Sequence, residues 1–281
     1  MTPTYLLSDG TSLPAIGFGT YPLKGSEGVE AITSALGSGY ELLDTAVNYE
    51  NEPEVGEALR RFLAASGRDR DAVRVCSKIP GRHHAYDDAI ASTKDSLHRL
   101  GLDHLDLHLI HWPNPSRDLY VEAWQALIEL QRQGLVRSIG VSNFTEAHLR
   151  RIIAETGVAP VVNQIELHPL FPQAAMRAVH DELGIRTEAW SPMGKRQGQY
   201  DAAPVVAAAE RLGVTPGQVI LRWHVELGSV PIPKSATPSR QVENLSVFDF
   251  SLTPEEVEAI TALGRPDGRL FDGDPDTHEE L

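Results

Sequence analysis

The sequence has little cysteine and a deficit of positive charge, and both shortages exclude classes of protein. Cys76 is the single cysteine, so the chain can form neither an internal disulfide nor a cysteine zinc site, as is typical of a reducing compartment. The chain has 25 Lys and Arg residues against 39 Asp and Glu residues, and its net charge of −14 disfavours general binding to nucleic acid or to anionic membranes. An anionic ligand must therefore find a local basic pocket.

Three further sequence signals are missing. No apolar run reaches the roughly 18 residues of a membrane span, and the first residues lack the basic and apolar segments of a signal peptide. Gly17-Phe18-Gly19 begins like a dinucleotide fingerprint, but Pro22 occupies the position of the third glycine. We therefore expect a cytoplasmic protein without a membrane partner, and we do not favour a doubly wound open sheet.

Short apolar runs alternate with segments of helical spacing through most of the chain, which is typical of parallel βαβ units. Eight such units in about 250 residues is the number of a TIM barrel. The sequence therefore predicts an α/β protein with one (β/α)8 TIM barrel domain over residues 1–281. The predicted strands are 16–20, 40–44, 73–79, 105–111, 136–141, 161–165, 185–190 and 230–233.

Turn and cap residues predict the ends of several elements. Asp9-Gly10 between the apolar runs 4–7 and 12–16 predicts an N-terminal β-hairpin that acts as a lid. Thr215-Pro216 and Thr253-Pro254 each combine a hydroxyl cap with a proline at the first helical position, which predicts two helix starts. We expect a monomer whose C-terminal tail, residues 265–281, lies near the barrel mouth or on the surface.

Polar and aromatic residues end the predicted strands, and in a barrel the carboxyl ends of the strands carry function. Any single one of these residues could serve only to satisfy a buried backbone group. Because they occur at seven successive strand ends, packing alone does not account for them, and they predict an active site at this end. They are Asp44, Lys78, His111, Ser142 with Asn143, Gln164, Trp190 with Ser191, and Lys234 with Ser235.

The surroundings of these residues resemble the aldo-keto reductase superfamily. The segments LLDTAVNYENE, VCSKIPG and LIHWPNP look like its catalytic tetrad, which places Tyr49 beside Asp44, Lys78 and His111. The segments GVSNF, NQIELHP, AWSPMG and IPKS, with Arg240 after them, match its cofactor-binding motifs in order. The similarity covers nearly the whole chain and is closest to small bacterial members similar to 2,5-diketo-gluconate reductases. It implies a barrel that reduces aldehydes or ketones with NADPH.

The chemistry of carbonyl reduction assigns a role to each member of the tetrad. Negative charge develops on the carbonyl oxygen, so the site needs a proton donor, and Tyr49 is the candidate. A phenol with a pKa of about 10 needs help near neutrality, which Lys78 as a nearby cation can give. Asp44 is then the carboxylate that keeps a buried Lys78 charged. His111 either orients the carbonyl or shares in the proton transfer.

The same resemblance assigns the cofactor contacts. It implies that Ser142, Asn143 and Gln164 bind the nicotinamide carboxamide and that Trp190, where many members have Tyr, stacks on the ring. Lys234, Ser235 and Arg240 form a basic and hydroxyl cluster suited to a 2′-phosphate, so NADPH is favoured over NADH. Further contacts are expected at Ser191, Glu243 and Asn244, the last two with adenine.

The substrate pocket and the competing functions are less constrained. Tyr21, Trp112 and Pro80 are predicted to wall the pocket, and Phe271 either reaches the mouth or anchors the tail on the outer helices. No metal site is expected, because strand alternation separates His108 from His111. One alternative function is a redox-sensing module that holds NADPH without turnover, and another is a Schiff-base aldolase that uses Lys78.

Overall fold

The chain forms a short β-hairpin followed by a closed parallel barrel. The computed structural model describes residues 2–271 and 273–280. The hairpin pairs β1 (Thr4–Leu6) with β2 (Ser12–Pro14) in antiparallel register. The parallel strands of the described residues are β3 (Phe18–Gly19), β4 (Leu42–Asp44), β5 (Arg74–Ile79), β6 (Leu105–Ile110), β7 (Val136–Ser142), β8 (Val162–Glu166), β9 (Arg186–Trp190) and β10 (Val230–Pro231).

Each parallel strand pairs with the next one along the chain, from β3 to β10. Between the first and last strands, the amide of Gly17 donates to the carbonyl of Pro231 and that of Gly19 donates to Pro233, each over 3.0 Å. These two hydrogen bonds close the barrel. The predictions of eight strands, an N-terminal hairpin and a (β/α)8 barrel are confirmed.

Helices cover the outside of the barrel, because the continuous apolar strands need both faces buried. The two predicted helix starts are confirmed, since the hydroxyls of Thr215 and Thr253 each accept from the amide of the third helical residue. The helices of the described residues are α1 (Gly25–Ser38), α2 (Glu52–Ser66), α3 (Tyr86–Leu100), α4 (Tyr120–Arg132), α5 (Glu146–Thr156), α6 (Ala174–Leu183), α7 (Ala203–Leu212), α8 (Pro216–Glu226), α9 (Pro238–Leu245) and α10 (Pro254–Thr261).

The main core lies between the strands and these helices. All six residues of β6 are buried, and Trp124 of α4 and Trp223 of α8 have no exposed surface. Among the residues that the structure describes, no helix combines the length and the apolar character that a membrane crossing requires. Polar side chains occupy the carboxyl ends of the strands, beyond this apolar layer.

The hairpin acts as a lid on the other end of the barrel. Leu7 and Leu13 pack against Leu107 and Val162 inside the barrel. The hydroxyl of Ser138, near the start of β7, donates to the carboxylate of Asp9 over 2.7 Å. The lid therefore closes the amino-terminal ends of the strands and leaves the carboxyl ends open.

Candidate active site

A cleft of about 540 Å³ opens at the carboxyl ends of the strands, a size that suits small-molecule ligands and cofactors. The predicted site residues that line it are Asp44, Tyr49, His111, Asn143, Gln164, Trp190, Ser191, Lys234, Tyr21 and Trp112. Phe271 also lines the cleft. Of the two predicted positions for this side chain, at the mouth or on the outer helices, the structure therefore shows the one at the mouth.

A buried ion pair lies beneath the floor of this cleft. Asp44 ends β4, and Lys78 lies near the end of the neighbouring β5. The Nζ atom of Lys78 donates to both carboxylate oxygens of Asp44, over 2.7 and 2.8 Å, and to the carbonyl of Thr45 over 3.0 Å. Lys78 has no exposed surface. Burial acts to lower the pKa of Lys78, but the groups around it, first of all the Asp44 carboxylate, together raise that pKa above its ordinary value.

Tyr49 reaches this pair from the loop that follows β4. The residue ends a 3-10 helix, Val47–Tyr49, and its hydroxyl lies 3.4 Å from Nζ of Lys78. Asn51 fixes the loop, since its side chain donates to the carbonyls of Thr20 and Leu23 over 3.0 Å each. Burial raises the pKa of Tyr49 to about 12, although the Lys78 ammonium acts to lower it. The phenol therefore keeps its proton near neutrality.

His111 completes the group of four. Its ring lies 5.7 Å from the Tyr49 ring in an edge-on arrangement. His108, three residues earlier, points away from the cleft, with Nε2 3.2 Å from the Thr93 hydroxyl of α3 and Nδ1 2.9 Å from the Ser77 carbonyl. His108 of β6 and His111, which directly follows that strand, thus point in opposite directions, as alternation predicts.

The predicted nicotinamide residues lie together and bond to one another. The Asn143 amide group donates to the His111 carbonyl and to the Ser142 hydroxyl, over 3.0 Å each. Its oxygen accepts from the Trp190 indole nitrogen over 2.7 Å. Asn143 therefore fixes the orientation of the Trp190 ring. Ser142 is almost fully buried, and its own hydroxyl donates to the Gln164 carbonyl over 2.8 Å.

Gln164 links this group to the buried ion pair. Its amide nitrogen donates to Asp44 and to Glu188, over 2.9 Å each. Burial, and next the charge of Asp44, raise the pKa of Glu188 to about 8, so this carboxyl group can hold a proton near neutrality. The sequence analysis missed Glu188, because it lies inside β9 rather than at a strand end.

The predicted phosphate and adenine residues are more dispersed. Lys234 and Arg240 are exposed, while the Ser235 hydroxyl accepts from the Thr237 amide over 3.1 Å before α9. Glu243 accepts from the Thr215 hydroxyl over 2.6 Å, and Asn244 is buried. The structure does not bring Arg240, Glu243 or Asn244 to the cleft wall, so their contacts with a cofactor stay predictions.

Aromatic side chains form the rim of the cleft. Trp190 stacks on Phe271 with 6.2 Å between ring centroids, and Tyr21, 59% exposed, lies 5.2 Å from the Tyr49 ring. Pro80, also predicted here, is buried and does not line the cleft.

The sequence analysis did not identify several residues of the rim. Lys195 lines the cleft and lies over the Phe271 ring, 4.1 Å from its centroid. The His278 ring lies tilted against Trp112, with 4.2 Å between the ring centroids, and Glu280 lies against His111. The Lys195 position directly follows the AWSPMG motif and could have been found there. The tail residues follow no motif that could have indicated them.

The buried pair makes a prediction about stability. Asp44→Asn should lower the free energy of unfolding by about 3–5 kcal/mol, because it leaves the Lys78 ammonium buried without its counter-ion. Chemical denaturation without cofactor measures this change. The matched control is Glu50→Gln, which breaks the exposed Lys24–Glu50 pair and should leave the unfolding midpoint unchanged. Equal midpoints for the two variants would contradict the importance of the pair.

Comparisons with known proteins agree with this arrangement. The model of the aldo/keto reductase family matches residues 15–265. The chain is 58% identical to 2,5-diketo-D-gluconic acid reductase B of Corynebacterium sp. (strain SHS752001), with 99% of each chain covered. It is 43% identical to the methylglyoxal reductase DkgA of Escherichia coli (strain K12), with 98% of each covered.

Solved structures give the same result. A mutant of Gox0644 in complex with NADPH is 40% identical and has a TM-score of 0.93 with 99% of each chain covered. A Bombyx mori aldo-keto reductase in complex with NADP is 34% identical, with a TM-score of 0.90 over 97% of this chain and 96% of that one. The chain therefore belongs to the aldo/keto reductase family.

Proposed function

We propose that the cleft reduces aldehydes and ketones to alcohols by hydride transfer, with Tyr49 as the general acid. As a family member, the chain is an NADP-dependent oxidoreductase. The observation that carries the residue assignment is the position of the Tyr49 hydroxyl, on the cleft wall and 3.4 Å from the buried Lys78 ammonium. NADPH, when bound, supplies the hydride.

The residues of the cleft fit a nicotinamide cofactor. The broad face of Trp190 suits stacking on a flat ring, and its tilt is held by Asn143. The amide nitrogen of Gln164 is used by two carboxyl groups, which leaves its oxygen to accept from a carboxamide. Lys234 on the cleft wall, and the exposed Arg240 outside it, offer positive charge for a 2′-phosphate in a chain of net charge −14.

The proton transfer follows from the charges around Tyr49. Reduction converts the carbonyl oxygen into an alkoxide, which is a far stronger base than a phenolate. A phenol whose pKa is about 12 can therefore donate at that moment while staying protonated at rest. The phenolate that remains faces the Lys78 ammonium, whose charge Asp44 maintains. Electrostatic stabilisation of this kind, aimed at the charge that develops, is a major source of catalysis.

The geometry does not favour a Schiff-base aldolase. That chemistry needs an uncharged amine that can reach the substrate. Lys78 is fully buried, donates to both oxygens of Asp44 and does not line the cleft. A binding module without turnover would not need a phenol, an ammonium and a carboxylate in contact, so the reductase is the better supported function.

The substrate class is proposed from the relatives. Two of them are named for the reduction of 2,5-diketo-D-gluconic acid and of methylglyoxal, both small compounds with two carbonyl groups. We propose small dicarbonyl compounds as substrates here. A cytoplasmic monomer with one domain over residues 1–281 also stays a prediction, and the single, buried Cys76 supports a reducing compartment.

Tyr49→Phe tests the proton donor. The substitution should lower kcat roughly 10²- to 10⁴-fold, the usual contribution of general acid catalysis, and leave the Kd of NADPH unchanged. Steady-state NADPH oxidation with methylglyoxal and fluorescence titration measure the two quantities. The control is Tyr21→Phe, which removes a neighbouring phenol on the cleft wall and should change kcat only slightly. Similar kcat values for the two variants would refute the assignment.

Arg240→Ala tests whether Arg240 binds the 2′-phosphate of NADPH. Loss of one charge-assisted hydrogen bond, about 1.5–3 kcal/mol, should raise the Kd of NADPH at least roughly tenfold and leave the Kd of NADH nearly unchanged. Arg60→Ala on α2, another exposed arginine, is the control and should affect neither. If the Kd values of both cofactors rise equally, Arg240 does not contact the 2′-phosphate.

A further inference from the structure

A second carboxyl group is buried close to the Asp44–Lys78 pair. Glu188 of β9 lies inside the barrel and is almost fully buried. Its Oε2 atom accepts from the amide nitrogen of Gln164 over 2.9 Å, and its Oε1 atom has no hydrogen-bond partner in the described part of the chain. An ionised carboxylate held by a single neutral hydrogen bond would be costly to bury, so this position favours the uncharged acid.

Gln164 stands opposite Glu188 on the neighbouring strand. The two residues are register partners of β8 and β9. The amide nitrogen of Gln164 donates to Oδ2 of Asp44 and to Oε2 of Glu188, over 2.9 Å each. Because Asp44 is the counter-ion of Lys78, it accepts hydrogen bonds only, and Gln164 must turn its nitrogen toward it. The two bonds use both hydrogens of that nitrogen.

The Glu188 contact adds what the Asp44 contact lacks. Along the sheet, β5, β6 and β7 separate Asp44 of β4 from Gln164 of β8, so the bond between the two residues crosses the barrel interior. A single hydrogen bond would leave the amide free to rotate about it. A second acceptor on the adjacent strand fixes the plane of the amide, and this leaves its oxygen for the cleft that Gln164 lines.

The charges around Glu188 come from two other strands. Asp44 of β4 acts to raise its pKa and Lys78 of β5 acts to lower it, but burial has the largest effect, and the pKa lies at about 8. The Cys76 thiol of β5 is neutral, because burial raises its pKa well above the ordinary value. On the other side of β9, the register partner of Glu188 is the apolar Val230 of β10. Asp44 is therefore the charged acid of this cluster, and it balances one ammonium.

We propose that Glu188 is a positioning residue that, as an uncharged acid, accepts the second hydrogen of the Gln164 amide and holds that amide with its oxygen toward the nicotinamide carboxamide. An ionised carboxylate would accept the same hydrogen, but it would set two buried negative charges against the single charge of Lys78. The uncharged acid provides the acceptor without that cost. This inference rests on the proposed function, because it requires the carboxamide to bind at Gln164.

Glu188→Met and Glu188→Gln separate the acceptor from the shape of the side chain. Methionine is of similar length but lacks a strong acceptor, so Glu188→Met should raise the Kd of NADPH roughly 2- to 10-fold, the net value of one hydrogen bond. Glutamine keeps an acceptor oxygen, so Glu188→Gln should restore a Kd close to that of the wild type. Fluorescence titration measures these values. The control is Glu210→Gln, which alters an exposed glutamate of α7 and should leave the Kd unchanged.

A second background tests whether Glu188 acts through Gln164. In a Gln164→Met enzyme the amide is already absent, so Glu188→Met should not raise the Kd of NADPH any further. A further rise of the same size in that background would overturn the inference. So would equal Kd values for Glu188→Met and Glu188→Gln, since the acceptor oxygen would then have no effect.

The uncharged state of Glu188 has a test that needs no cofactor. Its pKa is raised in the folded protein, so folding favours the protonated group, and the stability that this adds is present below the ordinary pKa of 4.5 and is lost as the pH rises toward 8. Chemical denaturation at several pH values measures this loss. The free energy of unfolding of the wild type, minus that of Glu188→Gln, should fall as the pH rises from about 5 to about 8.

A difference that stays constant over this pH range would overturn the inference, because Glu188 would then be ionised in the folded protein as it is in the unfolded chain. None of these measurements uses turnover. Their failure is therefore distinct from failure of the proposed function, which would appear as an undiminished kcat in Tyr49→Phe.

Discussion

The buried contact between Asp44 and Lys78 is the interaction on which the rest of the site depends. A lysine with no exposed surface would lose its charge without a carboxylate beside it, and Asp44 supplies both of its oxygens. The same carboxylate accepts from Gln164 and helps to keep Glu188 protonated. One ion pair thus places a positive charge beside the phenol above it and helps to orient an amide next to it.

The barrel explains why these groups meet at all. Parallel strands place all their carboxyl ends at one edge, so polar residues that are far apart in sequence converge there. This is why the sequence could predict that these residues converge at one end of the barrel. The apolar runs predicted eight strands, and the polar residue at each strand end predicted Asp44, Lys78 and His111 as neighbours. Strand alternation also separated His108 from His111 correctly.

Other features could not be predicted, because they depend on contacts that leave no local pattern. The bond from Trp190 to Asn143 joins two strand ends whose side-chain directions depend on the loops. Glu188 lies inside a strand and is indistinguishable in sequence from a surface carboxylate. The tail docks on Asn114, 166 residues away, and no periodicity marks Glu280 as a neighbour of His111. Glu243 was assigned by resemblance alone, and its carboxylate contacts Thr215 instead of lining the cleft.

The central claim is that Lys78, held charged by Asp44, acts on the substrate through the Tyr49 hydroxyl. Single-turnover oxidation of NADPH in Lys78→Met, Tyr49→Phe and the double variant tests it most directly, provided that each variant binds NADPH as the wild type does. Each single change should slow oxidation at least roughly 100-fold, and the double variant should be no slower than the slower single variant. A wild-type rate in Lys78→Met, or losses that multiply in the double variant, would contradict the claim.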